Sequence, residues 1–280
     1  MKAPRLIAIV GALLITGAAN AQNRCSSYIG QVETPQTFND VTAAFANLKP
    51  KDEFETTAQY DARKAAALAS TAGLAIISMA QARADDTVYD ADTQTLQIMN
   101  GAFSNGGFDT SSAFRSANIN IPTSPFQNFE AVVAQSDTPT GAYAASNAYG
   151  AGTTVTKISR KSEVIFDSKE PDVLGNDLFP TAARNAMKAV DRMGVFRYVI
   201  GGIPLSPDAA KIVKPTLKFA LVVRPKEPYF VQGTHFSSFP TIQNPREVQE
   251  QFSILFADFQ CGLVMDSNNK VLGAYPMKQM

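Results

Sequence analysis

Acid–base and nucleophilic chemistry near neutral pH most often depends on an imidazole, and this chain contains a single histidine, His235. Together with Ser237 or Ser238 and the more distant Asp258, it has the residue types of a serine hydrolase triad. However, the sequence contains no G-x-S-x-G nucleophile elbow, and His235 lies in a segment rich in Phe and Pro. We therefore expect His235 to be a hydrogen-bonding loop residue. A lone imidazole also excludes metal sites that need two or more, and we predict no metal and no cofactor.

Carboxylates are the second group of candidates. The pairs Asp85-Asp86 and Glu247–Glu250 are expected to face solvent. A glycosidase needs two carboxyl groups at a set distance in space, which spacing along the chain does not define. Asp90 and Asp92 are spaced like calcium ligands, but the Gly and the closing Glu of an EF-hand loop are missing, so we expect an Asx turn. The sequence also contains no glycine motif for phosphate binding.

Residues 100–128 are rich in Gly, Ser, Asn and Thr, yet they carry four phenylalanines. Disordered segments are poor in aromatic residues, so we expect an ordered loop. Two interpretations remain open: the rings anchor the loop on the core, or they form a binding loop that recognises a sugar or a protein. The four positions are Phe103, Phe108, Phe114 and Phe126.

The first residues have the pattern of a secretory signal peptide. Lys2 and Arg5 precede an apolar stretch over 6–15, and small residues then lead to Ala19-Asn20-Ala21. This pattern predicts a signal peptide over residues 1–21, cleavage after Ala21 and a periplasmic or secreted mature protein. Cleavage leaves 23 basic and 25 acidic residues, because the segment holds two of the 25 basic residues and no acidic one. Without a basic excess, nucleic acid is not an expected partner.

Both cysteines, Cys25 and Cys261, remain after this cleavage. In an oxidising compartment an even pair predicts a disulfide bond, which would tie down an arm from Cys25 to Gln36. We expect no membrane span after the signal peptide. The uncharged stretch over 65–82 contains too many Ser, Thr, Gly and Gln residues to favour insertion.

That stretch belongs to the longest run that favours a helix. Thr56 and Gln59 have the spacing of a capping box, and Arg83 lies where the helix dipole favours a base. We predict a helix over about 57–83, and its many small side chains indicate that it is buried among other elements.

The remaining patterns predict an α+β fold with N-terminal helices, including the long buried helix, packed on a mostly antiparallel β-sheet system with two shorter helices. A short helix is expected from Phe38 behind a Thr37 or Asn39 cap, and the two shorter helices over 182–193 and after Ser206. Hairpins are expected over 88–99 and 256–275, and a helical turn over 247–252. We predict a single domain over 22–280, with a helical part and hairpin over 22–99, a loop region over 100–152 and a β-rich part over 153–280.

Three segments resemble segments of uncharacterised secreted bacterial proteins. They are the sequence EFETT over 53–57 with Tyr60 and Arg63, the NAYG turn over 147–150, and the helix start over 206–208. The resemblance implies a bacterial envelope setting. It implies no activity and carries no site residue to this chain.

These observations lead to three hypotheses of function. The first is an exported, non-catalytic envelope or secreted protein that binds a partner protein or a surface ligand. The second is a periplasmic or secreted hydrolase that acts on envelope carbohydrate or peptide through carboxylates or His235. The third is an oligomeric structural component of the envelope, assembled through a small-residue helix face over 69–73.

Overall fold

The computed structural model describes residues 25–49, 51–69, 73–80, 84–103, 108–119, 129–167, 187–190 and 196–277. The predicted signal peptide lies outside these residues. The described helices are α1 Phe38–Ala46, α2 Thr57–Ala69, α3 Thr110–Ser116 and α4 Pro207–Val213. The described strands are β1 Ala75–Ser78, β2 Thr87–Asp90, β3 Thr95–Met99, β4 Phe129–Ser146, β5 Gly152–Asp167, β6 Met187–Val190, β7 Phe196–Pro204, β8 Lys218–Ser238, β9 Arg246–Met265 and β10 Val271–Pro276.

The prediction of one long buried helix over 57–83 is wrong. The helix α2 ends at Ala69, and Ala67 is its only buried residue. Beyond it, Gly73 has a φ of 77°, a conformation that glycine adopts easily and a continuing helix does not allow. Of the small-residue helix face proposed over 69–73, residues 70–72 lie outside the described residues, and Gly73 does not have a helical conformation.

The reason for this error is a strand that pairs far along the chain. Ile76 and Ile77 lie in β1 and pair with Val222 and Leu221 of β8. Branched side chains fit a pleated sheet well, and this long-range pairing outweighs a weak helical preference. The α+β assignment is corrected accordingly: the described chain is mostly β, with short helices on its sheets.

The described strands form two sheets. The larger has six strands in the order β1-β8-β9-β5-β4, with β10 paired to β9, and the smaller has the order β2-β3-β7-β6. The pairs of strands are antiparallel except β5 with β9, which is parallel. The expected helix over 182–193 is wrong where it is described, because Met187–Val190 form β6 against β7. The expected helical turn over 247–252 is also wrong and belongs to β9, where buried and exposed residues alternate.

Several local predictions are confirmed. Residues 87–90 and 95–99 form a hairpin, and β9 and β10 form the C-terminal one. Helix α1 starts at a capping box in which the Thr37 side chain accepts from the backbone N–H of Asp40. Helix α4 starts with Ser206 as its cap and Pro207 in its first turn.

The predicted disulfide is confirmed between Cys25 and Cys261, and it anchors the segment from Cys25 to Gln36, called the strap below. Cys25 is 1% exposed, whereas the other strap residues are exposed or half-buried. Among the described helices, none is long and apolar enough to cross a membrane.

Candidate functional site

The chemically reactive side chains meet in one row across the larger sheet. In the strand register, Asp137 of β4 lies opposite Arg160 of β5, Arg160 opposite Glu250 of β9, and Glu250 opposite His235 of β8. Directly paired residues point to the same face of a sheet, so these four side chains form a cross-strand row. The row lies on the face that α3 covers, beside the aromatic cluster of Phe108, Phe114, Phe252 and Phe256.

His235 lies buried in this row between two rings. The Phe108 ring is 6.1 Å and the Phe252 ring 5.6 Å from the imidazole, centroid to centroid. Its Nε2 atom is 3.5 Å from Oε2 of Glu250, whose side chain is 1% exposed. The expectation of a loop residue is thus wrong: His235 belongs to a strand and to the core.

Ser162 and Gln135 complete the polar group around Glu250. The Ser162 hydroxyl donates to Oε1 of Glu250, and Gln135 donates from Nε2 to the Ser162 oxygen at 3.0 Å. A hydrolase triad needs the imidazole between the hydroxyl and the acid. Here the carboxylate lies between the hydroxyl and the imidazole, so the base that would activate Ser162 is Glu250. The order of these groups does not correspond to a triad.

Of the triad partners considered from the sequence, Asp258 lies elsewhere in the sheet. Asp258 is opposite Arg224 in the register, and its Oδ1 atom forms an ion pair with Nζ of Lys226 at 3.0 Å. Ser237 is in β8 near His235, and its hydroxyl is buried without a hydrogen-bond partner among the described residues. Sequence reasoning therefore identified the histidine but not Glu250 and Ser162 as its neighbours, because only the register of β5, β8 and β9 brings them together.

Charge in the row is balanced at its outer end. Arg160 donates to both oxygens of Asp137, at 2.7 and 2.9 Å, and Arg246 adds a contact at 3.2 Å. The hydrogen bonds from Arg160 lower the pKa of Asp137. On the same strand, burial raises the pKa of Glu130, against a hydrogen bond from the Thr110 hydroxyl that lowers it.

The described residues contain no group of three or more His, Cys, Asp or Glu able to hold a metal ion. Asp90 instead accepts the backbone N–H groups of Asp92 and Thr93 through Oδ1, at 3.1 and 3.3 Å. This is the expected Asx turn.

The four phenylalanines of the predicted binding loop are placed as follows. Phe103 packs against Phe219 at 5.7 Å, and Phe114 against Phe166 at 4.8 Å. Phe103, Phe108 and Phe114 are buried, and Phe126 lies outside the described residues. The burial of these three rings supports the interpretation that they anchor the segment on the core.

Exposed aromatic rings lie on the opposite face of the sheet. Phe236 follows His235 and therefore points to the other side, where Phe239 stacks on it at 5.8 Å and an interplanar angle of 26°. Phe239 is 72% and Phe236 48% exposed. Ile242 lies in the same loop and is also exposed.

Tyr143 of β4 extends this exposed surface across the sheet. Its hydroxyl donates to Oε2 of Glu247 at 3.0 Å, and the Lys157 ammonium lies 5.3 Å from its ring centroid. Glu247 is two residues from Gln249, the partner of Phe236, so these side chains share one face. Tyr143, Phe236 and Phe239 are called the aromatic patch below.

The aromatic patch was missed in the sequence, although a signal for it exists. In the sequence, apolar Val248, Phe252 and Ile254 alternate with polar Glu247, Gln249 and Gln251. This two-residue period predicts a strand with one free face, on which a neighbouring Phe would be exposed.

Comparison with protein-family models, with curated proteins and with solved structures returned no match for this chain.

Proposed function

We propose that this chain is an exported, non-catalytic protein that binds a partner protein through the aromatic patch. The observation that carries the proposal is the stacked pair Phe236–Phe239, which leaves apolar rings in water on a sheet face where polar side chains are expected. Exposed apolar patches with a polar rim mark interaction sites, and aromatic side chains dominate the binding energy of such interfaces.

The rim of the aromatic patch has the composition that a protein interface needs. Glu247 and Lys157 bracket Tyr143, and Gln249 lies opposite Phe236. These groups supply donors and acceptors of both charge signs around an apolar centre. They favour a protein surface over a strongly charged polymer.

Export is supported by two features. The N-terminal pattern over 1–21 has the form of a cleaved signal, and disulfides such as Cys25–Cys261 persist in oxidising compartments. Sequencing the N-terminus of the protein from its native cells tests this part. The expected first residue is Gln22, and an intact Met1 in the cytosolic fraction would contradict it.

The hydrolase hypothesis has weaker support. Glu250 and His235 lie beneath α3 with side chains 1% and 5% exposed. The Phe108 ring also packs against the His235 imidazole. We therefore place the function on the exposed aromatic patch, on the other face of the sheet.

Capture from periplasmic and secreted extract, followed by quantitative mass spectrometry, tests the proposal. The immobilised proteins are the mature wild type, the double variant Phe236→Ala/Phe239→Ala, and a control, Phe54→Ala, whose ring is 88% exposed near α2. We expect the wild type and the control to capture one or more proteins in similar amounts. The double variant should capture about tenfold less of them, as expected when interface hot spots are removed.

Binding affinity for the captured protein, produced in pure form, then gives the decisive comparison. Equal affinity of all three proteins would refute the proposal. Because exposed substitutions change stability by only about 0.5 kcal/mol, unfolding curves should show that all three remain folded.

A further inference from the structure

The strap runs along two strand edges before α1 begins. At β10, Gly30 donates to the Val271 carbonyl at 2.9 Å, and Val271 donates back to Gln31 at 2.8 Å. At β1, Gln36 donates to the Ile76 carbonyl at 2.7 Å, and Ser78 donates to the Gln36 carbonyl at 3.0 Å. The strap thus occupies backbone groups that an edge strand would otherwise offer to another chain.

Side-chain packing of the strap is concentrated near its first residue, where Tyr28 also packs against the cluster around Cys25. Cys25 is its only buried residue, and it lies in a cluster with Ala220, Val222 and Leu263. From Ile29 onward the strap residues are exposed or half-buried, and backbone hydrogen bonds hold them to the sheet against the conformational freedom of the segment. The covalent link to Cys261 is therefore the main anchor of the strap.

We propose that the strap is a redox-releasable cover: reduction of Cys25–Cys261 frees residues 25–36 and uncovers the β1 edge while the sheet stays folded. The reductant is a dithiol. One of its thiolates attacks a sulfur of the disulfide, the S–S bond breaks, and a mixed disulfide forms. The second dithiol sulfur then displaces the protein thiol, so that the dithiol is oxidised to a cyclic disulfide and both cysteines take up a proton.

Release of the strap also opens a cleft beside it. Pro35 forms one wall of a cleft of about 400 Å³, whose other walls include Met79, Phe219 and Met265. Reduction of the disulfide thus exposes both the edge of β1 and this cleft. It acts at a different part of the sheet from the aromatic patch and does not depend on the function proposed for that patch.

Hydrogen–deuterium exchange of the mature protein, with and without dithiothreitol, tests the proposal. Amides that depend on the strap, those of Gln36, Ser78 and Val271, should exchange at least tenfold faster after reduction. Central amides of β8 and β9 around Leu221 and Leu263, which pair within the sheet, should change by less than twofold.

A second readout is cleavage after Glu33 by a glutamyl endopeptidase, which should be fast only in the reduced protein. The variant Cys25→Ser/Cys261→Ser should behave like the reduced protein without dithiothreitol. Unchanged exchange of Gln36 and Ser78 would overturn the proposal. Acceleration of all amides together would also overturn it, because the disulfide would then hold the whole fold rather than the strap.

Discussion

Gly262 provides a direct test of whether Phe103 is a core anchor. A Cβ atom added at Gly262 lies 2.8 Å from both Cε1 and Cζ of the Phe103 ring and 2.9 Å from Cδ1. These distances are shorter than real Cβ contacts, and the ring is fully buried against Phe219 and Tyr275. The ring therefore cannot move aside without disturbing its neighbours.

We predict that Gly262→Ala lowers the free energy of unfolding by about 1–3 kcal/mol, the usual cost of overpacking a core. Phe103→Leu alone should lower it by about 1–2 kcal/mol, because a smaller side chain leaves a partly filled cavity. The double variant should lose at least about 1 kcal/mol less stability than the sum of the losses of the two single variants, because the smaller side chain makes room for the added methyl.

Equilibrium urea unfolding of the oxidised proteins measures these values. If the free energy of unfolding falls with urea concentration at the same slope in all variants, only stability has changed. Tyr149→Ala serves as the control, because its ring is 96% exposed and should have almost no effect. Strict additivity of the two changes, or an unaffected Gly262→Ala variant, would refute the packing of Phe103 against β9.

Three further predictions concern single side chains, each measured by urea unfolding. Because Arg160 lowers the pKa of Asp137, that pair stabilises the fold above the unfolded-state value of about 3.9, and the gain is lost as pH falls through the folded-state pKa. Asp137→Asn should cost about 0.5–1 kcal/mol at pH 7 and progressively less as pH falls below about 3.9, and a cost that does not change with pH would contradict the ion pair. Because burial raises the pKa of Glu130, the wild type should lose stability relative to Glu130→Gln as pH rises above about 4.3. A stability difference between the two proteins that stays constant from pH 3 to 7 would contradict the raised pKa. Thr37→Ala removes the capping box of α1 and should cost about 1 kcal/mol, whereas no loss would mean that the cap does not hold the helix.

The parts of this fold that depend on near neighbours could be predicted from the sequence. The caps at Thr37 and Ser206 and the turn over 266–269 each need only residues within a few positions. The Cys25–Cys261 bond followed from there being only two cysteines, although the sequence separation is 236 residues.

The errors arose where distant pairing decides the structure. Residues 75–78 become a strand only because β8 offers its edge, and Met187–Val190 because β7 does. Periodicity within a short window does not contain that information.

The candidate site shows the same division. His235 was visible as the single histidine, but its neighbour Glu250 is identified by strand register alone. The aromatic patch needs in addition the knowledge of which face α3 covers.

The position of β9 in the larger sheet has a consequence for how the chain acquires its structure. This strand, Arg246–Met265, is near the C-terminus, yet β5, β8 and β10 all pair with it. The larger sheet therefore cannot be completed until residues 246–265 have been synthesised, and such high contact order makes folding slow. Until then the β4–β5 hairpin lacks its partner β9, so its apolar side chains remain uncovered and prone to aggregation.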